Sequence, residues 1–416
     1  MTIPFDGQRL VDRARSHGVR VGALCRMLVA VPSLSGHEGK IAEVVAHEMN
    51  RNLFDRVRID ALGNVIGTVG CGRTKRLIDG HMDTVGVGDE AAWQHHPFKG
   101  KLEDGRVWGR GACDQKGGLA SMIIAGRLIK ELGLDSGITV WFVASCQEED
   151  CDGLALRHVL EHERLVPDYA VITEPTGLAV HRGQRGRVEL SVVTKGRSCH
   201  ASTPERGENA VYSMMPIVRE IEALNGRLGT DPFLGPGSVA VTRIECRTPS
   251  NNALPDECTI VLDRRLTAGE TGASAIAQLE SLPSFRASRA TVAPLTFDAP
   301  SWKGLPLRQE KEFPSWVLPE DHRLTRAGVE TARLVLGAPP RIDRWVASTN
   351  GVATMGRHQI PTIGFGPSDI ALAHTPEERV AVDEMVKAAA FYAALGPVLT
   401  AMDRVLEFLE KGEAPD

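Results

Sequence analysis

Apolar and polar positions change rhythm along the chain. In 21–31 and 38–52 the apolar residues recur at helical spacing, with Ser33, Ser35 and Gly36 breaking the two runs apart. Strands and helices then alternate. "RLIDG" (76–80) reads as a strand, and "GGLASMIIAGRLIKELG" (117–133) as a helix stopped by Gly133. "ITVWFVASC" (138–146) is almost continuously apolar, as expected of a strand covered on both faces. "DYAVIT" (168–173) and "IPTIGFG" (360–366) are shorter strands of the same kind. This alternation predicts an α/β fold with a mixed, mostly parallel sheet and helices on both faces.

The middle of the chain follows another grammar. "GRVELSVVTKG" (186–196) alternates like a half-exposed strand, and "NAVYSMMPIVREIEALNGRL" (209–228) is an amphipathic helix. Two strands follow (238–247, 256–266), then a helix (272–282) and a last strand (290–297). The order β-α-β-β-α-β predicts a ferredoxin-like α+β domain inserted in the first. The expected division is 1–185 and 298–416 for one domain and 186–297 for the insertion. Residues 298–320, rich in Pro and Trp, are expected to return the chain across the surface.

Composition narrows the class. The chain has 416 residues, 42% apolar and 24% charged, with a formal net charge of −5. That is long enough for two cores. No Lys/Arg block suggests a nucleic-acid partner. The apolar segments read as shorter than the ~20 residues a membrane span needs. The opening "MTIPFDGQRLVDRARSHG" lacks a basic stretch followed by an apolar core, so a cytoplasmic setting is expected. The eight cysteines are scattered without a CxxC pair, which predicts reduced thiols.

Metal-capable residues follow the predicted strands at their carboxyl ends. His81 and Asp83 come after 76–80, Glu148 and Glu149 after 138–146, Glu174 after 168–173, and His374 after 360–366; Asp114 precedes the helix at 117. Each alone has an ordinary reading as a turn polar, a helix cap or a loop acid. Together they recur at the one edge of an open sheet where ligands bind. Carboxylates crowded there repel and are costly to desolvate, and a divalent cation answers both problems. Imidazole with carboxylate suits Zn²⁺, with Mn²⁺ or Co²⁺ as competitors. Asp83 is expected to orient the His81 ring through its other nitrogen. Of the adjacent acids 148 and 149, one can bind metal while the other takes a proton from water.

The stretches "DGHMDTV" (79–85), "WGRGACDQKGG" (108–118), "SCQEEDCDG" (145–153), "VITEPTG" (171–177), "GRSCHASTPERGENAV" (196–211) and "LAHTPEERV" (372–380) resemble, in order, the motifs of the M20 metallopeptidases and amidohydrolases. "RGQRGR" (182–187) and "LDRRLT" (262–267) further resemble its YgeY-like branch. The resemblance implies a zinc-peptidase-like fold holding two divalent ions. Asp114 would bridge them, His81 and Glu174 would complete one site, and Glu149 and His374 the other. Glu148 would be the general base and then the acid. The peptide bond after Asp114 is cis in relatives. The inserted domain would be a lid and the surface of a homodimer, with His200 reaching the partner's site to stabilise an oxyanion. Asn252 matches a lid asparagine that contacts substrate in relatives. Arg265 is a candidate grip for a substrate carboxylate, or an ion-pair partner of Asp263. Asn350 in "ASTNG", where many relatives have Gly-Thr-Asp, completes the substrate candidates. Cys113 and Cys199 read as packed thiols, and His95 and His96 as surface or gate residues. The expected reaction is hydrolysis of a C–N bond in a small molecule such as an N-acyl amino acid or small peptide. Alternatives are hydrolytic deamination of an activated aromatic amine and, with every ligand and base present, a less favoured binding role without catalysis.

Overall fold

The computed structural model describes residues 6–410, with side chains to Met402. Residues 1–5 of the opening stretch and 411–416 at the end of the expected second catalytic segment lie outside the described residues. The strands used below are β1 (Arg56–Ile59), β2 (Val65–Gly70), β3 (Thr74–His81), β4 (Ile138–Ser145), β5 (Tyr169–Ile172), β6 (Val180–Gln184), β7 (Gly186–Lys195), β8 (Ser238–Arg247), β9 (Glu257–Leu266), β10 (Thr291–Pro294), β11 (Trp316–Val317), β12 (Ile342–Trp345) and β13 (Thr362–Gly364). The helices are α1 (Gly7–Ser16), α2 (Gly18–Val29), α3 (Gly39–Arg51), α4 (Gly117–Glu131), α5 (Leu154–Glu161), α6 (Ala210–Leu224), α7 (Gly272–Glu280), α8 (Pro283–Ser288), α9 (Arg323–Leu336) and α10 (Val382–Glu410).

The main sheet runs β1-β2-β4-β3-β5-β13-β6-β11, with β12 beside β6. Its centre, β4-β3-β5-β13, is parallel, and antiparallel strands flank it on both sides. The apolar run of β4 is explained by its place: Val140 and Phe142 face one core, Val143 the other. Helices α2, α3, α4, α9 and α10 pack on the first face, and α5 with the turn 352–357 covers the second. Both faces are therefore dry, as the continuous apolar patterning of parallel strands requires.

A second sheet, β8-β9-β7-β10, is antiparallel throughout. In chain order its strands stand 2-3-1-4, the ferredoxin-like order. It has its own core, in which Val188, Leu190 and Val192 of β7 meet Met214, Ile217 and Ile221 of α6.

Two expectations are corrected. The return segment 298–320 is not a surface crossing. Glu312 and Phe313 pair with β7 while Trp316 and Val317 pair with β6, so it stitches the two sheets together. Its Phe313 and Trp316 are buried. The apolar segments also include one long enough to cross a membrane: Val382–Met402 of α10 passes by length and composition, and 78% of its apolar window is buried inside the fold. The pattern of α10 is that of a core helix packed on α1, α2, α4 and α9. All eight cysteines are free.

Candidate active site

Four adjacent parallel strands deliver the polar residues to one edge. His81 is the last residue of β3. Glu148 and Glu149 lie just beyond β4, Glu174 just beyond β5, and His374 in the loop after β13. Asp114 stands ahead of α4, in a segment that turns into the same crevice, and the Asp114–Gln115 peptide bond is cis. His374 has φ 63°, in the left-handed region that non-glycine residues adopt uncommonly.

The side chains converge. His81 Nε2 is 2.9 Å from Asp114 Oδ1 and 3.4 Å from Glu174 Oε1. His374 Nε2 is 3.2 Å from Asp114 Oδ2 and 3.0 Å from Glu149 Oε2. Each oxygen of Asp114 thus faces a different imidazole. Glu148 offers an oxygen within 4.8 Å of ligand atoms on both His81 and Glu174. These acids line a cavity of about 280 Å³ that is also lined by Arg187, Arg265, Trp345 and Thr349.

The electrostatics show what this pocket attracts. Burial, and then the Asp114 carboxylate, push Glu174 well above the ordinary carboxylate range and raise Glu149 too. Burial, and then Asp152, do the same to Glu148. Burial would also raise Asp114, but hydrogen bonds from His374 and His81 outweigh it and hold this carboxyl below its usual value. Hydrogen bonds to Asp114 and Glu149 lift His374 to about 10. Burial opposes protonation of His81, yet Glu174 and Asp114 raise it well above the ordinary imidazole value. The cluster draws positive charge from every group able to carry it. Two imidazoles and buried carboxylates on both sides of Asp114 fit divalent cations by number, charge and donor chemistry.

Asp83 lies at the other nitrogen of the His81 ring. It is the main-chain oxygen of Asp83, 2.9 Å away, that receives His81 Nδ1; the carboxylate Oδ1 stays at 3.5 Å. The carboxylate instead accepts the main-chain N–H groups of Glu148 and Glu149 at 3.1 Å each and the Ser35 hydroxyl at 2.6 Å. Asp83 therefore sets the loop that carries both acids. Asn350, expected among the substrate contacts, is placed in the interior. It is wholly buried, donates to Asp79 Oδ2 and Ser145 Oγ at 2.8 and 2.9 Å, and accepts the Gly153 N–H at 2.7 Å. Both its amide hydrogens and its carbonyl oxygen are engaged inside the fold.

Arg265 meets both readings: it lines the cavity and is held by Asp263 at 2.7 and 3.0 Å. His200 and Asn252 sit together on exposed loops of the second sheet; the His200 ring accepts from Ser202, and Ala201 N–H donates to the Asn252 carbonyl. His95 bonds Glu103 and packs edge-on against Trp108.

Three contributors were not read from the sequence. Glu378 accepts the main-chain N–H groups of Cys113 and Asp114 at 3.1 and 2.9 Å on one oxygen and Arg110 at 2.5 Å on the other. Gln115 donates to Glu174 Oε1 at 2.5 Å and accepts from Thr173 Oγ1 at 2.6 Å. Arg187, at the start of β7, reaches Asp152 at 3.3 Å beside Glu148 and lies over the Phe313 ring. Gln115 and Glu378 fall inside motifs quoted above. A side chain that bonds main-chain groups has no signature of its own in such a motif.

The model of peptidase family M20/M25/M40 matches residues 77–396. The uncharacterised protein YgeY of Escherichia coli strain K12 is 42% identical over 393 residues, 94% of this chain and 97% of its own. A succinyl-diaminopimelate desuccinylase of Cereibacter sphaeroides is 31% identical over 270 residues, 62% of this chain and 70% of its own. Among solved structures, the Bacillus subtilis YXEP protein, described as a dinuclear metal-binding peptidase of the M20 family, superposes with a TM-score of 0.67 at 16% identity, covering 92% of this chain and 98% of that one.

Proposed function

Because the chain belongs to peptidase family M20/M25/M40, a family of metal-dependent hydrolases acting on C–N bonds, we propose that it cleaves the amide or peptide bond of an N-acyl amino acid or small peptide, with Glu148 as general base and then general acid. The observation that carries this reading is the position of Asp114, one carboxylate oxygen toward His81 and the other toward His374. In the proposal His81 and Glu174 hold one ion, Glu149 and His374 hold the other, and Asp114 is shared. Zn²⁺ is the preferred ion for this donor set, with Mn²⁺ and Co²⁺ as competitors. The chemistry such a pair supplies when bound is a lowered pKa for water and polarisation of the scissile carbonyl.

The chain's own residues do the rest. Glu148, buried with an oxygen near both His81 and Glu174, would take a proton from water and pass it to the leaving amine. Arg265, which lines the same cavity, would meet a substrate carboxylate. Residues 186–297 act as a lid over the crevice and as the contact between two copies. His200, exposed in its own chain, is proposed to serve the oxyanion in the partner's site. A small-molecule substrate, a cytoplasmic setting and no nucleic-acid or membrane partner complete the reading.

The test is Glu148→Gln, assayed against a panel of N-acyl amino acids, dipeptides and aryl amines. Turnover should fall by roughly 10²–10⁴, with ion content unchanged by elemental analysis. Near-normal turnover removes Glu148 from the role. Activity confined to aryl amines replaces amide hydrolysis with deamination.

A further inference from the structure

A second cluster of ligand-type side chains lies outside the crevice, where the turn between β1 and β2 meets α5. Asp60 closes the turn. Its Oδ1 accepts the N–H groups of Gly63 and Asn64 at 2.7 and 2.9 Å, and its Oδ2 accepts only the Asn64 side chain, at 2.8 Å. His158, on α5, is 6% exposed. Neither of its ring nitrogens has a hydrogen-bond partner among the described residues. Buried polar atoms nearly always find partners, so an imidazole with both nitrogens idle calls for an explanation. Glu163, just past the end of α5, points at the same place, and one of its oxygens is held at 2.6 Å by Arg58, whose side chain is 45% exposed. One ligand atom from each of Asp60, His158 and Glu163 lies within 4.8 Å of the other two.

We propose that Asp60, His158 and Glu163 form a separate divalent-cation site that staples the β1–β2 turn to α5. Two carboxylates and an imidazole give a donor set suited to Zn²⁺, and the two negative charges match the ion. Asp60 Oδ2 has a lone pair left, and the idle imidazole supplies the nitrogen. Arg58 is the competitor for Glu163, and its exposure leaves it free to turn into solvent. The ring of His162 stacks on His158 at 4.8 Å and fixes the plane of the ligand. The location has consequences for the fold. Asn64 links the turn to the Cys146 N–H at the end of β4, and Lys303 of the return segment donates to the Asp60 carbonyl at 2.9 Å. An ion here would lock three segments that flank the acid loop without touching the crevice.

The experiment is a difference measurement, so the number of ions in the crevice cancels and the proposed hydrolysis is not at stake. Full-length protein is stripped of metal, dialysed to equilibrium against buffered free Zn²⁺, and its zinc counted by elemental mass spectrometry. His158→Gln and Glu163→Gln should each hold one ion per chain fewer than the unsubstituted protein. Glu163 is partly exposed and outside the core, so its variant decides the outcome if the His158 variant fails to fold. Arg58→Gln should keep the ion and fill at lower free Zn²⁺, because the competing cation is gone. Equal zinc content in the unsubstituted and Glu163→Gln proteins, or loss of the ion in Arg58→Gln, overturns the site.

Discussion

Glu378 touches no proposed ligand oxygen, yet it decides where one of them points. Wholly buried, it ties the main chain at Cys113 and Asp114 to Arg110, and so fixes the segment before α4 against the loop that bears His374. Glu378→Ala would strand Arg110 as a buried unpaired charge. It should lower stability by about 3–5 kcal/mol, read by urea denaturation, and reduce ion retention in the same sample. Unchanged stability would mean that Arg110 finds another partner. His181 makes a different prediction. Burial holds its ring neutral, with its pKa lowered to about 4 from the ordinary 6.5. The unfolded chain therefore binds the extra proton first, so this contribution is complete above pH 6.5 and is lost as pH falls toward 4. Urea midpoints should decline across that window, and His181→Phe should flatten the decline. A slope identical in the two proteins excludes the imidazole as its source. At this scale the sequence was most legible where chemistry repeats: two histidines and several acids each following a strand. It was least legible where one side chain serves another. Nothing near Asn350 announces Asp79, 271 residues away, as its partner.

Elements explain why those ligands are held so closely. α4 begins against the end of β5, and a methyl group at Gly118 would lie 2.5 Å from the Thr173 carbonyl oxygen, one residue before Glu174. Gly118→Ala must push the helix start from the strand end. The expected cost is about 1–3 kcal/mol, with weaker ion retention, measured by thermal midpoint and elemental analysis. Gly86→Ala, where nothing lies within 4 Å of the added carbon, is the control and should change stability by less than about 0.5 kcal/mol. β3, β4, α4 and the strands of the second sheet were readable because continuous apolarity, alternation and helical spacing each left a clear period. The β1–β2 hairpin is too short to do so. The return segment misled because Pro and Trp suggest a surface loop, whereas Trp316 and Phe313 are each buried as the segment passes between the sheets. α10 is interrupted by Pro397 and still runs from Val382 to Glu410, because its packing against neighbouring helices outweighs the local break.

At the scale of the whole molecule, β8 forms an edge of the second sheet with most of its residues exposed, Ile244 at 52%. An open edge of this length invites pairing with another strand. If the proposed homodimer pairs along this edge, Ile244→Lys should shift the species seen by light scattering from two chains to one and lower turnover with it, as the proposed role of His200 in the other copy requires. A protein that is one chain before the substitution refutes the pairing. The chain passes between the two sheets along two adjacent paths. The outward strand crosses at Arg185, between β6 and β7, and the inward strand crosses between Phe313 and Trp316; these paths are hydrogen-bonded neighbours, with Trp316 opposite Gln184 and Phe313 opposite Arg187. A page bound along its spine can turn but cannot spin. If the outer layer swings about these paired strands, Arg265 and His200 move with it, and a distance between one label on each layer would report the motion.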